Sequence, residues 1–257
     1  MIDSHCHLDD HNCRGKSAEE IMARARDAGV SGFVVIGVGD ALSEARQAIA
    51  LAAAHDNVWA TVGLHPHDAK ALDEAMLVEL DRLAAAPRVV AFGEIGLDYH
   101  YDSSPREAQR EVFRRMIAMA KAHELPIVIH TREAAEDTLG ILEEEGARDV
   151  GGIIHCFSED VAFARRALDM DFDVSFSGIV TFKNARAVQE VAAWAPADRV
   201  LIETDSPYLA PIPFRGKPCE PAMLPHTAAK VAELRGVGVE ELSATTVANT
   251  KRRLRLG

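Results

Sequence analysis

Eight short candidate strands alternate with helix-patterned stretches along 257 residues, and this alternation predicts an α/β chain folded as a (β/α)8 TIM barrel. The length suits such a barrel. The first, fourth, fifth, sixth and eighth runs also lead into single histidine or carboxyl residues. A closed sheet brings all those ends to one mouth, whereas the outer strands of an open sheet lie too far apart to share a site. A doubly wound sheet would need a glycine-rich turn after the first strand. The run Gly37-Val38-Gly39-Asp40 lacks the third glycine and follows the second strand instead. One domain covering residues 1–257 is expected.

The first strand is expected near Met1 to Ser4. A helix follows from Ser17 to Ala28, where Ser17 and Glu20 have capping-box spacing and Gly29 supplies the stop. Phe33 to Val38, Val58 to Val62 and Val89 to Gly93 read as the second to fourth strands, because continuous β-branched and aliphatic runs suit strands buried on both faces. In the next clear helix Ser104 caps, Pro105 takes the first helical position and Glu107 reaches back. Val112, Met116, Ile117 and Ala120 form its inward stripe before His123 and Pro126. Pro126 to Ile129, Gly152 to Ile154, Phe172 to Phe176 and Val200 to Thr204 complete the strands. Pro207 to Pro225 reads as a loop, and the last helix ends in Lys251-Arg252-Arg253-Leu254-Arg255, a basic terminus that suits the helix dipole.

Composition excludes more than it identifies. No apolar run approaches the ~20 residues that span a bilayer, and the start lacks a basic-then-apolar export signal. The four cysteines, Cys6, Cys13, Cys156 and Cys219, form no C-x-x-C pair, which fits a reducing cytoplasm. A net charge of −12 argues against a nucleic-acid partner only until screening is considered. Charges more than about 8 Å apart are largely screened at physiological ionic strength, so the mouth matters more than the total. Two bound divalent cations would add four positive charges there. Arg132, Lys183, Arg215 and Lys217 would add more if their loops fold over the site; otherwise they are ordinary solvated charges.

His5 and His7 stand two residues apart in Met1-Ile2-Asp3-Ser4-His5-Cys6-His7. An extended chain places alternate side chains on one face, so both imidazoles can reach one metal ion while Cys6 turns away to pack. Glu94, His130, His155 and Asp205 follow apolar runs in the same manner. Any one of them could be a core histidine or a cap. Six nitrogen or oxygen ligands at strand ends would be a poor way to build an apolar core. Imidazole and carboxylate without thiolate suit Zn, Mn or Co, and Mg less comfortably.

Six motifs carry a resemblance along essentially the whole chain. They are Asp3-Ser4-His5-Cys6-His7-Leu8-Asp9, Gly63-Leu64-His65-Pro66-His67, Gly93-Glu94-Ile95-Gly96-Leu97-Asp98-Tyr99, Ile129-His130-Thr131-Arg132, His155-Cys156-Phe157-Ser158 and Glu203-Thr204-Asp205-Ser206-Pro207-Tyr208-Leu209. The chain closely resembles the TatD-type metal-dependent deoxyribonucleases of the amidohydrolase-like barrel group. The resemblance implies a two-metal hydrolase acting on DNA, with His5, His7, Glu94, His130, His155 and Asp205 as ligands. Glu94 is then expected to bridge, with His5, His7 and Asp205 on one ion and His130 and His155 on the other. Glu94 and Asp205 are the catalytic candidates, Asp205 as general base or purely as ligand. The chain departs from the family at Arg215-Gly216-Lys217-Pro218-Cys219-Glu220-Pro221, where Cys219 stands in place of an amide side chain. Its last helix is also less aromatic than is usual there.

Around that set, His65 and His67 are candidates to hold phosphate, Asp98 to orient a histidine ligand, and Tyr99, His100 and Tyr101 to stack on unpaired bases. Arg132, Lys183 and Arg215 are candidate contacts to the substrate backbone. The leading expectation is a deoxyribonuclease working 3′ to 5′ on single-stranded or frayed DNA, since a buried mouth admits one strand more easily than a duplex. Removal of D-amino acids from transfer RNA is the alternative raised by the resemblance. A metal-stabilised binding module without turnover is the reading from a different class. Size and charge fit a monomer.

Overall fold

A computed structural model of the protein describes residues 1–39 and 41–256; Asp40, the last residue of the Gly37-Val38-Gly39-Asp40 run, lies outside the described residues. The strands are β1 (Ile2–Cys6), β2 (Gly32–Val35), β3 (Val58–Val62), β4 (Val89–Asp98), β5 (Ile127–Arg132), β6 (Gly152–Ile154), β7 (Phe172–Phe176) and β8 (Val200–Ile202). Between and after them run α1 (Ala18–Asp27), α2 (Ser43–Ala54), α3 (Glu74–Ala84), α4 (Arg106–Ala122), α5 (Ala135–Glu144), α6 (Val161–Asp169), α7 (Arg186–Trp194), α8 (Leu224–Arg235) and α9 (Val239–Arg253). The sheet follows chain order from β1 to β8, the order of the expected barrel. Among the described residues no helix is long and apolar enough to cross a membrane.

The chain divides into two compact units. The first comprises Met1–Val35, His155–Arg165 and the chain from Asp173 onward. Within it β1 pairs in parallel with β2, and β7 with β8. Beyond β8 the chain joins β1: Asp205 N–H donates to His5 O at 3.0 Å and His7 N–H to Ser206 O at 2.9 Å. β8 stops at Ile202 rather than Thr204 because the Thr204 N–H turns to Asp3 Oδ1, 2.9 Å away, and the Thr204 hydroxyl donates to Asp3 Oδ2. Burial pushes Asp3 up to about 7, with Glu203 adding to the rise and the Thr204 hydrogen bonds opposing it. The capping box of α1 is present: the Ser17 hydroxyl accepts from Glu20 N–H while the Glu20 carboxylate accepts from Ser17 N–H.

The basic end of α9 is an anchor rather than only a complement to the helix dipole. Asp173 on β7 is wholly buried and accepts from Arg199 Nε at 2.6 Å, Arg252 Nη2 at 2.9 Å, and Arg253 Nε and Nη2 at 3.0 and 2.9 Å. One carboxyl thus fastens α9 and the turn before β8 to the interior of this unit. The stretch expected as a loop from Pro207 to Pro225 ends early, since a short 3-10 turn at Pro221–Met223 leads straight into α8, and Pro225 lies in the first turn of that helix where proline is tolerated.

The second unit comprises Ile36–Ile154 and Arg166–Phe172. Here β3, β4, β5 and β6 pair in parallel in sequence. β4 does not end at Gly93 as expected. It continues to Asp98 because β5 goes on pairing with it as far as Asp98 opposite Arg132, across a register shift between Gly93 and Ile95. The glycines permit this close approach: a Cβ on Gly96, whose φ is +141°, would stand 2.0 Å from His130 O, and one on Gly93 would meet Val128 Cβ at 2.6 Å. Glu94 therefore sits within the strand instead of after it. Ser104 does not cap α4, which begins at Arg106 with Pro105 as its first flanking residue and no side-chain cap. Its hydroxyl donates to His67 O at 2.7 Å and accepts from Lys70 N–H at 3.1 Å, so it fastens the His65-Pro66-His67 turn.

Removing one partner from a buried ion pair costs about 3–5 kcal/mol. Asp173→Ala should lower unfolding stability by that order, read from urea denaturation. A loss below about 1 kcal/mol would show that Asp173 is not the anchor of α9.

Candidate metal centre

In the first unit three donor side chains converge. His5 Nε2 and His7 Nε2 each stand 3.6 Å from Asp205 Oδ1, and the donor atoms of all three lie within 4.8 Å of one another. A separation of 3.6 Å exceeds a hydrogen bond. It suits two donors that share an ion about 2.1 Å from each, so the residues fit a divalent metal. Burial raises the Asp205 carboxyl, but nearby His7, His155 and His5 outweigh it, and the group is held below its ordinary value. Its backbone lies in the left-handed region, φ +54°, which aims the side chain back toward β1 while its N–H closes onto His5 O.

His155, the residue after Ile154, belongs to the first unit as well. Its ring stacks on His5 with centroids 3.9 Å apart and planes 12° from parallel. His155 Nδ1 is 3.2 Å from Glu203 Oε1, which also accepts from Cys156 N–H at 2.7 Å. His5, His155 and Glu203 form a second donor group within 4.8 Å. Glu203 was not singled out from the sequence, although it lies directly after the apolar run Val200-Leu201-Ile202 and two residues before Asp205. Tyr208 was also passed over; it meets His7 edge-on at 5.9 Å and is 49% exposed.

The second unit gathers His65, Glu94 and His130 within 4.8 Å. Glu94 Oε1 is 2.8 Å from His130 Nδ1 and 3.5 Å from His65 Nε2. Asp98 Oδ2 lies 3.0 Å from both His130 Nε2 and His67 Nε2, so one carboxylate orients two rings. Its Oδ1 accepts from the N–H groups of His100 and Tyr101, at 3.0 and 2.9 Å. Burial alone would raise Asp98, but these contacts overcome it and hold the group well below the usual carboxylate range. His65, expected as a candidate to hold phosphate, thus stands among the donors.

The expected substrate contacts divide. Arg132 places its guanidinium over the Tyr101 ring at 4.7 Å, and Tyr101 is 60% exposed and edge-on to His67 at 5.4 Å. Tyr99 is held instead, with its hydroxyl donating to Asp137 at 2.6 Å and Arg106 over its ring at 4.4 Å. His100 Nδ1 is 2.7 Å from Glu133. Lys183 is exposed in the turn after a 3-10 segment at Gly178–Thr181, and Arg215 lies over Phe182 at 4.4 Å. Cys219 is buried, its N–H donating to Pro207 O at 3.0 Å, so the departure from the family pattern is a packed thiol whose loop is held through backbone.

The family described as TatD related DNase matches residues 2–255. An uncharacterized metal-dependent hydrolase of Bacillus subtilis, YabD, is 44% identical over 256 residues, covering 100% of this chain and 99% of that protein. The 3′-5′ ssDNA/RNA exonuclease TatD of Erwinia amylovora is 37% identical over 242 residues, covering 92% and 93%. A crystal structure of YJJV, a TatD homologue of Escherichia coli, matches with a TM-score of 0.91 at 26% identity, over 100% of this chain and 98% of that one. With the strand order, this likeness makes the fold the (β/α)8 barrel expected from the sequence.

Burial pushes His65 down from 6.5 to about 4, helped by His130 and His67 and opposed by Glu94. The folded protein therefore binds this proton less readily than the unfolded chain, so its contribution to stability is complete above pH 6.5 and is lost as pH falls toward 4. In urea denaturation of metal-free protein between pH 7.5 and 4.5, wild type should lose about 2 kcal/mol more than His65→Gln. Equal losses would contradict a neutral, half-buried His65.

Proposed function

The chain belongs to the TatD-related DNase family of metal-dependent hydrolases, and from that premise we propose that it cleaves phosphodiester bonds, releasing nucleotides from the 3′ end of single-stranded or frayed DNA. The observation that carries this reading is the convergence of His5, His7 and Asp205 on one point, with nitrogen and oxygen donors and no thiolate. Glu94 and His130 form the corresponding donor pair of the second unit. In this reading His5, His7, Glu94, His130, His155 and Asp205 hold two divalent ions of Zn, Mn, Co or Mg type. Such ions would activate a water and offset charge on the attacking and leaving oxygens of an in-line displacement at phosphorus.

The side chains supply the remainder. Asp205, kept ionised by the surrounding imidazoles, serves better as a ligand than as the proton acceptor, since a lowered pKa makes a weaker base. Asp98 fixes His130 so that Nδ1 faces Glu94. The guanidinium of Arg132 can grip a phosphate through two parallel hydrogen bonds, which a lysine cannot, and its stacking on Tyr101 leaves its edges for that task. The exposed rings of Tyr101 and Tyr208 offer faces for unpaired bases. That supports a single strand over a duplex, as does the description of the Erwinia amylovora relative as acting on ssDNA and RNA.

Metal-loaded protein should release mononucleotides from 3′-labelled single-stranded DNA faster than from duplex, and chelation should stop release and lower the melting temperature. Rapid deacylation of D-aminoacyl-tRNA with negligible nucleotide release would replace this function with the transfer-RNA alternative. Hydrolysis of DNA that survives exhaustive chelation would refute the metal chemistry.

Arg132→Lys should reduce DNA hydrolysis by tenfold or more, about the 1.4 kcal/mol expected when a bidentate contact becomes a point charge, with metal content unchanged. The comparison is made at one fixed salt concentration because phosphate binding is strongly salt-dependent. An unchanged rate would remove Arg132 from the phosphate site.

A further inference from the structure

Glu203 is wholly buried. Its Oε1 accepts from Cys156 N–H and lies 3.2 Å from His155 Nδ1, while Oε2 is buried with no hydrogen-bond partner among the described residues. Burying an acid with one oxygen unsatisfied is unfavourable, and supporting the backbone at Cys156 does not explain it, because a glutamine would accept that bond equally well. The side chain is aimed at His155, whose ring is stacked on His5, and both histidines share a donor group with Glu203.

We propose that Glu203 is a positioning residue of the metal centre: its carboxyl accepts the Nδ1 hydrogen of His155, which turns Nε2 of that ring toward the ion and raises its basicity. The inference rests on the metal-dependent reading above. It adds a residue that touches neither the substrate nor, through this contact, the ion. A carboxyl partner behind a histidine ligand fixes the ring's tautomer and orientation, and losing it typically costs 10–100-fold in metal affinity. The acid is retained although its Oε2 is buried without a hydrogen-bond partner, so replacing it with a neutral side chain should relieve the metal-free protein.

The test is Glu203→Gln, which keeps the size of the side chain and leaves Cys156 N–H and His155 Nδ1 facing a neutral amide oxygen in place of the more basic carboxylate. Calorimetric titration of Mn2+ or Zn2+ into metal-free protein should show affinity at least tenfold weaker than wild type. The melting temperature of the metal-free variant should equal or exceed that of wild type, and the gain on adding metal should shrink. Affinity within twofold of wild type would overturn the assignment, and so would a metal-free variant melting several degrees lower, which would make Glu203 a packing residue. A second measurement needs no variant: nitrogen NMR of the wild-type imidazoles should find His155 protonated at Nδ1, and the Nε2–H tautomer would refute the proposal. If wild type binds no divalent ion at all, the metal-dependent reading falls and this inference with it. If wild type binds and the glutamine variant binds equally, only the inference falls.

Discussion

Buried and half-buried imidazole set against buried carboxyl is the interaction on which the functional reading depends. Asp205 faces His5 and His7, Glu94 faces His65 and His130, Asp98 faces His67 and His130, and Glu203 faces His155. Each carboxyl would be costly in an apolar interior by itself. The grouping shares that cost, since histidines lower Asp98 and Asp205 despite burial. Within each unit, nitrogen and oxygen atoms so grouped could hold a metal ion. Under the proposed function, a bound cation would offset the cost of gathering these groups and would tie metal binding to stability.

The backbone brings these groups together by irregularity. β4 outruns its expected end and shifts register between Gly93 and Ile95, the stretch that carries Glu94. After β8 the chain leaves regular pairing so that Thr204 can satisfy Asp3 and Asp205 can donate to His5 O. Irregular strand ends are where side chains can be redirected, and both irregularities occur beside donor residues. At the other extreme, Asp173 with its three arginines is a fully satisfied polar cluster whose role is to hold α9.

Much of the fold was legible because it is written in period and punctuation. Val58–Val62 and Gly152–Ile154, apolar apart from Thr61, and Phe172–Phe176, apolar at alternate positions, lie between helices and appear with the expected bounds, and Ser17 with Glu20 marks the start of α1. Strand ends were less legible: Gly93 reads as a stop, yet here it is the residue without a Cβ that lets β5 stay close. Ser104 has the sequence of a cap but finds better partners in His67 O and Lys70 N–H, a tertiary contact that local pattern does not contain. At the site, the two-residue spacing of His5 and His7 is enough to put them on one face. The stacking of His155 on His5 and the placement of Glu203 behind it depend on which strands are neighbours. Tyr99, His100 and Tyr101 look alike in sequence, and only the ion pairs and ring contacts around them separate the held Tyr99 from the exposed Tyr101.

The central claim, that these clusters are ligands of catalytic divalent ions, is tested most directly by anomalous diffraction from crystals loaded with Mn2+ or Zn2+. The account predicts about two strong peaks per chain, one against His5, His7 and Asp205 and one against Glu94 and His130, at ligand distances of roughly 2.0–2.2 Å. Peaks confined to other residues, or none at either cluster at saturating metal, would contradict it.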